Sequence, residues 1–209
     1  MAQASTDRRR TGTRDRLLEA ALGIFAKQGY AGTTVSELER AVGLTPGSGA
    51  LYRHFDSKEA LLLEAVRAYH ERMRDLCAEV RKEGAAPSAH TELTRILDSL
   101  AMFLSEERPM VEVAGAADLP AAVRKAIGET WDEGYGLVAD SFSRYGFSHD
   151  EAQVAAVNCL GSLAHYVLQE IAVGTPPNGV AGYQFVVWWL DHWTYALERG
   201  PEPSRPPGR

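Results

Sequence analysis

The sequence has 209 residues, of which 45% are hydrophobic, so it can bury a core as one large domain or as a small domain and a larger one. It lacks a run of about 18 apolar residues, which excludes a membrane-spanning helix. The basic N-terminus has no apolar stretch behind it and is not a secretory signal. We therefore predict a cytoplasmic protein that does not use a membrane as a partner.

Reactive and metal-binding residue types are sparse and scattered. Cys77 and Cys159 lie far apart in helical patterns, which favours two buried, reduced thiols over a redox switch. The histidines are not spaced with cysteines or acids as metal ligands are, so we predict no metal site and no cofactor. The sequence also lacks a Gly-rich phosphate loop, a nucleophile elbow and paired carboxylates. We therefore predict that the chain is not an enzyme.

The charge is distributed unevenly. The net charge is −6, but residues 1–57 hold eight lysines and arginines against six acids, a net of +2, and the remainder carries −8. A basic N-terminal module on an acidic body directs its own face toward phosphate. The total charge argues against nucleic-acid binding, but the concentration of basic residues in the N-terminal module is compatible with it.

The N-terminal segment divides into a tail and a helix. We expect residues 1–12 to be disordered, with Arg8, Arg9 and Arg10 as either a DNA-contacting arm or a solvated tail. A first helix is predicted from Thr13 to Gln28, ended by Gly29. The apolar stripe of this helix should cover the next two helices and complete a three-helix core.

The stretch Thr33–Lys58 predicts two short helices joined by a turn. Thr34 and Glu37 have the spacing of a capping box, and Gly43 supplies the left-handed residue that ends the first short helix. The second short helix is predicted over Gly49–Phe55, with Leu51 and Phe55 packing inward. This is the pattern of a helix-turn-helix that enters the DNA major groove.

At these residues the chain resembles the tetracycline-repressor (TetR) family of transcription regulators. The resemblance rests on Leu51-Tyr52-Arg53-His54-Phe55, on Ser57-Lys58-Glu59-Ala60-Leu61, and on the preceding Gly29–Gly43 pattern, and covers about the first quarter of the chain. It implies an all-α fold with a helix-turn-helix DNA-binding domain at 1–57 and a larger helical ligand-binding and dimerisation domain at 58–200. The Pro-rich composition of residues 201–209 predicts a disordered tail.

The segment Leu44–Ala50 departs from the family pattern, because it is about two residues longer than the commonest form. Either Thr45, with Pro46 at the first helical position, or Ser48 could cap the second short helix. Arg53 could contact a guanine or remain a solvated charge. Lys58 lies in the first turn of the next helix, where it adds charge to a phosphate site. The predicted DNA-contacting residues are Thr33, Thr34, Thr45, Pro46, Gly47, Ser48, Gly49, Ala50, Tyr52, Arg53, His54 and Lys58.

The remaining chain predicts a long helix from Asp56 or Ser57 to about Lys82 and further helices separated by Gly- and Pro-rich breaks. The last two long helices, at about 149–173 and 180–199, carry more apolar surface than one chain buries easily, so we predict that they form a homodimer interface rather than a monomer core. The predicted interface residues are Val157, Leu160, Ala164, Leu168, Phe185, Trp188, Trp189 and Trp193.

The resemblance implies a repressor of palindromic operator DNA that an unknown small molecule releases by binding within the C-terminal helices. Each candidate contact for that molecule is also a plausible core residue. Two alternatives stay open at this point: a constitutive regulator without an effector, and, more remotely, a helical small-molecule carrier or enzyme. The candidate ligand contacts are Tyr69, Met73, Met102, Phe103, Trp131, Tyr135, His165 and Tyr166.

Overall fold

The computed structural model describes residues 2–201, with side chains from residue 12 onward except that of residue 172. It contains no strand in this range, which confirms the all-α prediction. Residues 202–209 of the predicted tail at 201–209 lie outside the described residues, as do the side chains of Arg8, Arg9 and Arg10. The helices are α1 (Ala2–Gly32), α2 (Val35–Ala41), α3 (Lys58–Lys82), α4 (Ala89–Glu106), α5 (Arg108–Ala114), α6 (Ala121–Arg144), α7 (His149–Val173) and α8 (Gly182–Arg199), with short 3₁₀ helices at Leu51–Arg53 and Pro177–Gly179.

None of these described helices is long and apolar enough to cross a bilayer. The chain divides into two compact units, the first formed by Met1–Arg72 and Glu107–Thr130, the second by Met73–Glu106 and Trp131–Arg209. The predicted DNA-binding domain falls in the first unit, which also takes in part of α3, all of α5 and part of α6. The boundary that we predicted at residue 57 therefore stays a prediction.

The first unit is built on the apolar stripe of α1. Leu17, Ala21 and Phe25 are fully or almost fully buried, as the predicted stripe requires. The helix begins at Ala2 rather than at Thr13, so the prediction that residues 1–12 are disordered is wrong for the described backbone. Its regular part ends where predicted, because Gly29 has φ 75° and interrupts the helical backbone before one further turn.

The second unit buries part of the C-terminal aromatic cluster. Ser148 and Glu151 form the capping box that opens α7. Trp189 on α8 is 1% exposed, and its Nε1 donates to the Cys159 carbonyl oxygen at 3.0 Å. Trp193 lies edge-on to Phe142 with 5.8 Å between ring centroids. Trp189 therefore belongs to the protomer's own core, which corrects its assignment to the dimer interface.

A buried polar cluster ties α4 to α6 in the same unit. Glu92 is 1% exposed, and one of its carboxylate oxygens accepts hydrogen bonds from Ser141 Oγ at 2.8 Å and from Arg144. The other oxygen accepts from Arg95 Nη2 at 2.7 Å and from the Ala86 amide at 3.2 Å. Burial alone would raise the pKa of Glu92, but these hydrogen bonds and the two guanidinium groups hold it below its ordinary value.

Both cysteines are free and buried, as predicted. Burial raises the pKa of Cys77 to about 11, and that of Cys159 in the same direction. Since the thiolate is the reactive form, we expect neither thiol to react with iodoacetamide at pH 8 in the native protein, and both to react after denaturation. Intact-mass spectrometry measures this directly. Fast labelling of the native protein would contradict the buried placement.

Candidate nucleic-acid interface

Helix α2 begins at the predicted capping box. The Thr34 hydroxyl accepts from the Glu37 amide at 3.3 Å, and the Glu37 carboxylate accepts from the Thr34 amide at 2.8 Å. Leu38 and Val42 are buried, and Gly43 ends the helix with φ 74°. Local chemistry thus determines the first short helix as predicted.

The second short helix is shorter than predicted. A regular helix over Gly49–Phe55 is not formed, and a 3₁₀ turn over Leu51–Arg53 stands in its place. The physical reason is that Gly47 and Gly49 have φ of 74° and 68°, which keeps the backbone out of the helical region until Ala50. The inward packing is as predicted, because Leu51 and Phe55 are 0% and 5% exposed.

The segment before this turn is a β-turn rather than a helix start. The Ser48 amide donates to the Thr45 carbonyl at 3.2 Å, with Pro46 and Gly47 in the two central positions that such a turn favours. Neither predicted residue caps the 3₁₀ turn, whose N-cap is Ala50 without a side-chain hydrogen bond; the Ser48 Oγ accepts from the Ala50 amide at 3.3 Å. Thr45 and Pro46 instead form part of the turn.

Exposure divides the predicted DNA-contacting residues into three groups. Thr33 and Ala50 are 2% and 4% exposed, and the Thr33 hydroxyl donates to the Gly29 carbonyl at 2.8 Å. Burial removes these two side chains from the set that DNA can reach. Gly49, His54 and Lys58 are partly exposed, whereas the fully accessible members are Thr34, Thr45, Pro46, Gly47, Ser48, Tyr52 and Arg53.

Lys58 is held by the protein itself. Its ammonium donates to the carbonyl oxygens of Tyr30 and Thr33 at 2.7 and 2.8 Å and lies 4.2 Å from the centroid of the Tyr30 ring. Ser57 caps α3 beside it, accepting from the Ala60 amide at 2.9 Å. Lys58 thus fixes the end of α1 against the start of α3, with at most one donor left for a phosphate.

The same turn of α1 is held from the opposite side by Asp118, in the loop between α5 and α6. Its carboxylate accepts from the Ala31 amide at 2.6 Å. This bond, with further backbone hydrogen bonds and the nearby charge of Lys58, lowers the pKa of Asp118. The sequence offered no signal for this contact, because the two residues are 87 positions apart.

Glu39 is the site residue that sequence reasoning missed. It is 0% exposed, and its Oε2 and Oε1 accept from the Gly47 amide at 2.7 Å and the Leu51 amide at 3.0 Å. Its backbone carbonyl accepts from the Leu44 amide at 2.9 Å. A signal was available: Glu39 is four residues after Val35, on the apolar face of α2, and precedes a turn rich in free amides.

The predicted ligand contacts differ in burial and are divided between the two units. Tyr69 is buried in the first unit, where burial raises the pKa of its phenol to about 12. In the second unit Met73, Phe103 and Tyr166 are buried and Tyr135 is half-buried, whereas Met102, Trp131 and His165 are exposed. The Tyr166 hydroxyl donates to the Val180 carbonyl at 2.8 Å. A cleft of about 230 Å³ in the first unit, between α3 and α6, includes none of these residues.

The predicted dimer residues are distributed across α7 and α8. Val157 and Trp188 are 51% and 62% exposed, and Leu160, Ala164, Leu168, Phe185 and Trp193 are partly exposed. Trp188 is stacked on His192 with 4.8 Å between ring centroids. Five further exposed apolar side chains of these helices are not among the predicted interface residues. They are Val154, Val173, Tyr183, Val187 and Tyr195.

No group of three or more histidine, cysteine, aspartate or glutamate side chains within the described residues could hold a metal ion. The candidate site of this chain is therefore a surface: the β-turn Thr45–Ser48 and the exposed residues of the 3₁₀ turn behind it.

Known proteins are similar in sequence to the part of the chain that contains this surface. The family model for bacterial regulatory proteins of the tetR family matches residues 17–65. The transcriptional repressor KstR2 of Rhodococcus jostii is 42% identical over 60 residues, which cover 29% of this chain and 28% of that protein. The chain spans between 19% and 52% of the length of such curated relatives.

Solved structures share the fold over most of the chain. A TetR-family regulator from Agrobacterium tumefaciens superposes with a TM-score of 0.68 at 16% identity, covering 88% of this chain and 99% of that one. The regulator FadR from Bacillus subtilis, solved with stearoyl-CoA, gives a TM-score of 0.62 at 16% identity and covers 90% and 98%. Residues 17–65 thus match the tetR family of bacterial regulatory proteins, and the fold of the described residues is that of TetR-family regulators of known structure.

Proposed function

We propose that this chain is a cytoplasmic, homodimeric repressor that binds a palindromic operator through residues 45–54 and is released by a small molecule. The observation that carries the proposal is the arrangement of the 3₁₀ turn. Its inward residues Leu51 and Phe55 are buried, while Tyr52 and Arg53 project from an otherwise packed surface beside the exposed turn Thr45–Ser48. Exposed polar side chains on a turn that is anchored by buried residues are what major-groove reading needs.

The side chains of this surface suit different parts of the duplex. Ser48 and Arg53 have donors that can reach base edges, and Tyr52 and His54 have donors for phosphate oxygens. Gly47 lets the backbone approach the groove wall because it has no side chain. We keep residues 1–57 as the DNA-binding domain and residues 58–200 as the body in this proposal.

Dimerisation follows from the small size of the proposed reading surface, which consists of the β-turn Thr45–Ser48 and the exposed residues of the 3₁₀ turn behind it. One such module contacts too few base pairs for specificity, and a symmetric pair doubles the site and makes it palindromic. The exposed apolar side chains of α7 and α8 support this step, since large exposed apolar patches mark interfaces. The proposed interface consists of Val154, Val157, Tyr183, Val187, Trp188 and Tyr195, with the partly exposed Leu160, Ala164, Leu168, Phe185 and Trp193 around them.

The proposed release by a small molecule is supported by a structure of similar fold and by residues in the second unit of this chain. A related fold, that of FadR from Bacillus subtilis, was solved with stearoyl-CoA, which supports a small-molecule site in proteins of this architecture. In this chain the buried Met73, Phe103 and Tyr166 of the second unit are the remaining candidates for apolar contacts. Helix α3 begins at Lys58 beside the reading surface and continues into the second unit, so it offers a continuous path for coupling.

The test is DNA binding by the full chain across salt concentrations, with Arg53→Ala as the variant. We expect Arg53→Ala to weaken operator binding about 5- to 150-fold, the equivalent of about 1–3 kcal/mol expected for a base contact, with relaxed preference at one position of each half-site. If Arg53 binds a phosphate instead, affinity falls equally for all sequences, and the salt slope becomes shallower by about 0.9 for that phosphate.

The control is Arg74→Ala, which removes another exposed arginine, from the second unit. It should leave binding unchanged. The operator is identified by selecting bound sequences from a random DNA library with the wild-type protein. The DNA upstream of its own gene is tested in parallel. Negligible affinity of the wild type for any DNA at low salt would refute the proposed function.

A further inference from the structure

The order of the segment between α2 and the 3₁₀ turn requires a physical explanation. Leu44–Ala50 has seven residues and contains two glycines with positive φ. A glycine-rich segment of this length loses much conformational entropy when it is ordered. The residues that the proposed function assigns to DNA lie on it or directly after it. A fixed reading geometry therefore needs something that orders this segment from its protein side.

Glu39 provides that order. Three amides of this segment and of the residue directly after it, those of Leu44, Gly47 and Leu51, donate to the side chain and backbone carbonyl of Glu39 at distances from 2.7 to 3.0 Å. These donors are distributed along the whole segment, from its first residue to the start of the 3₁₀ turn. Hydrogen bonds to a buried carboxylate are stronger than those between neutral groups, because the charge is not screened by water.

The carboxylate is also matched to the conformation of the segment. With φ 74° at Gly47, the turn Thr45–Ser48 directs the Gly47 amide inward to Glu39, while the side chains of Thr45 and Ser48 remain exposed. The same carboxylate holds the Leu51 amide, which opens the 3₁₀ turn bearing Tyr52 and Arg53. One side chain thus sets the spacing between the two parts of the reading surface.

We propose that Glu39 is a positioning residue for sequence recognition: it holds the turn Thr45–Ser48 and the 3₁₀ turn Leu51–Arg53 in the one relative geometry that matches the operator. This inference rests on the proposed function. The proposed role of Glu39 distinguishes two properties of DNA binding, namely affinity for phosphates and recognition of bases. Attraction to phosphates depends mainly on charge, and base reading depends on the exact position of the donors. Loss of the carboxylate should therefore reduce specificity and spare non-specific binding.

The decisive variant is Glu39→Gln in the full-length chain. A carboxamide has nearly the same size but can accept at one end only, so its NH₂ group faces one of the two amides that the carboxylate accepted from. We expect the ratio of operator affinity to shuffled-duplex affinity to fall roughly tenfold or more, the scale of a single base contact. Repeated selection from the random library should give a relaxed or altered base preference, with an unchanged salt slope.

The matched control is Glu37→Gln. It removes the same charge from the same helix, two residues away, and keeps the capping box because glutamine is equally suited to that position. It should raise affinity for all DNA slightly and leave base preference unchanged. Glu39→Asp is the second variant: it keeps the buried charge but is one methylene too short to reach both amides, so it should lose specificity as well.

Folding of each variant is checked by circular dichroism and by thermal unfolding before binding is measured. If folded Glu39→Gln and Glu39→Asp keep the wild-type specificity ratio and base preference, the inference is wrong while the proposed function stands. If neither variant folds, Glu39 is a residue of core stability, and the positioning role is overturned. If the wild type itself enriches no sequence, the proposed function fails, and this inference fails with it.

Discussion

Replacement of Trp188 by glutamate is expected to convert the dimer into a monomer. Trp188 is 62% exposed in the protomer and lies among the apolar side chains of α7 and α8 that we propose as the interface. A central aromatic residue contributes about 2 kcal/mol or more to an interface, and a two-fold symmetric interface contains it twice. The dimer dissociation constant should therefore rise roughly 1000-fold or more.

Sedimentation equilibrium at micromolar concentration measures this change, and operator binding should be lost in parallel while binding to random DNA persists. The matched control is Met102→Glu, which places the same charge at an apolar residue of α4 with 60% exposure. It should leave the mass and the melting temperature unchanged. A wild-type protein that is already monomeric, or a Trp188→Glu variant that remains dimeric, would show that this face is not the interface.

Replacement of Glu92 by alanine is expected to destabilise the second unit strongly. The change removes the carboxylate that accepts hydrogen bonds from Ser141, Arg144, Arg95 and the Ala86 amide. The two guanidinium groups and the buried Ser141 hydroxyl then lose their common partner. Removal of one partner from a buried ion pair costs about 3–5 kcal/mol, and the partial exposure of Arg144 places this case at the lower end. The melting temperature should fall by roughly 6–12 °C.

The control is Glu83→Gln, at the exposed glutamate that also pairs with Arg95. It should change the free energy of unfolding by less than about 0.5 kcal/mol. Glu92→Gln provides a pH test. Because the pKa of Glu92 is lower in the folded protein than in the unfolded chain, its stabilisation is present above its unfolded pKa and is lost as the pH falls through the folded value.

Wild-type stability should therefore decrease more steeply below about pH 4.5 than that of Glu92→Gln. Equal pH slopes for the two proteins, or a Glu92→Ala variant as stable as the wild type, would show that the cluster contributes little.

Much of the candidate site was predictable because its determinants are local. The capping box of Thr34 and Glu37, the left-handed Gly43 and the inward packing of Leu51 and Phe55 depend on residues within a few positions of one another. The same motifs predicted the family resemblance, and the match of residues 17–65 to the tetR family model confirms it for that part of the chain.

Other features depended on contacts that spacing does not reveal. Trp188 and Trp189 are adjacent and similar in hydropathy, but consecutive residues of a helix point about 100° apart, and only packing against α7 decides which is buried. Lys58 carries a charge typical of a phosphate contact, yet carbonyls from the end of α1 engage its ammonium. The predicted length of the second short helix was wrong because the positive φ of Gly47 and Gly49 keeps the backbone from becoming helical before Ala50.

The sequence by itself determined the helical class, the order of the helices, their caps and the basic character of the N-terminal module, since all of these follow from short-range periodicity, turn chemistry and charge. Only the tertiary structure decided which side chains of each helix face water, and which distant groups hold the reading surface in place. Glu39, Lys58 and Asp118 satisfy amides and carbonyls that local structure leaves free. A buried backbone group needs a partner, and its partner is chosen by proximity in space rather than along the chain.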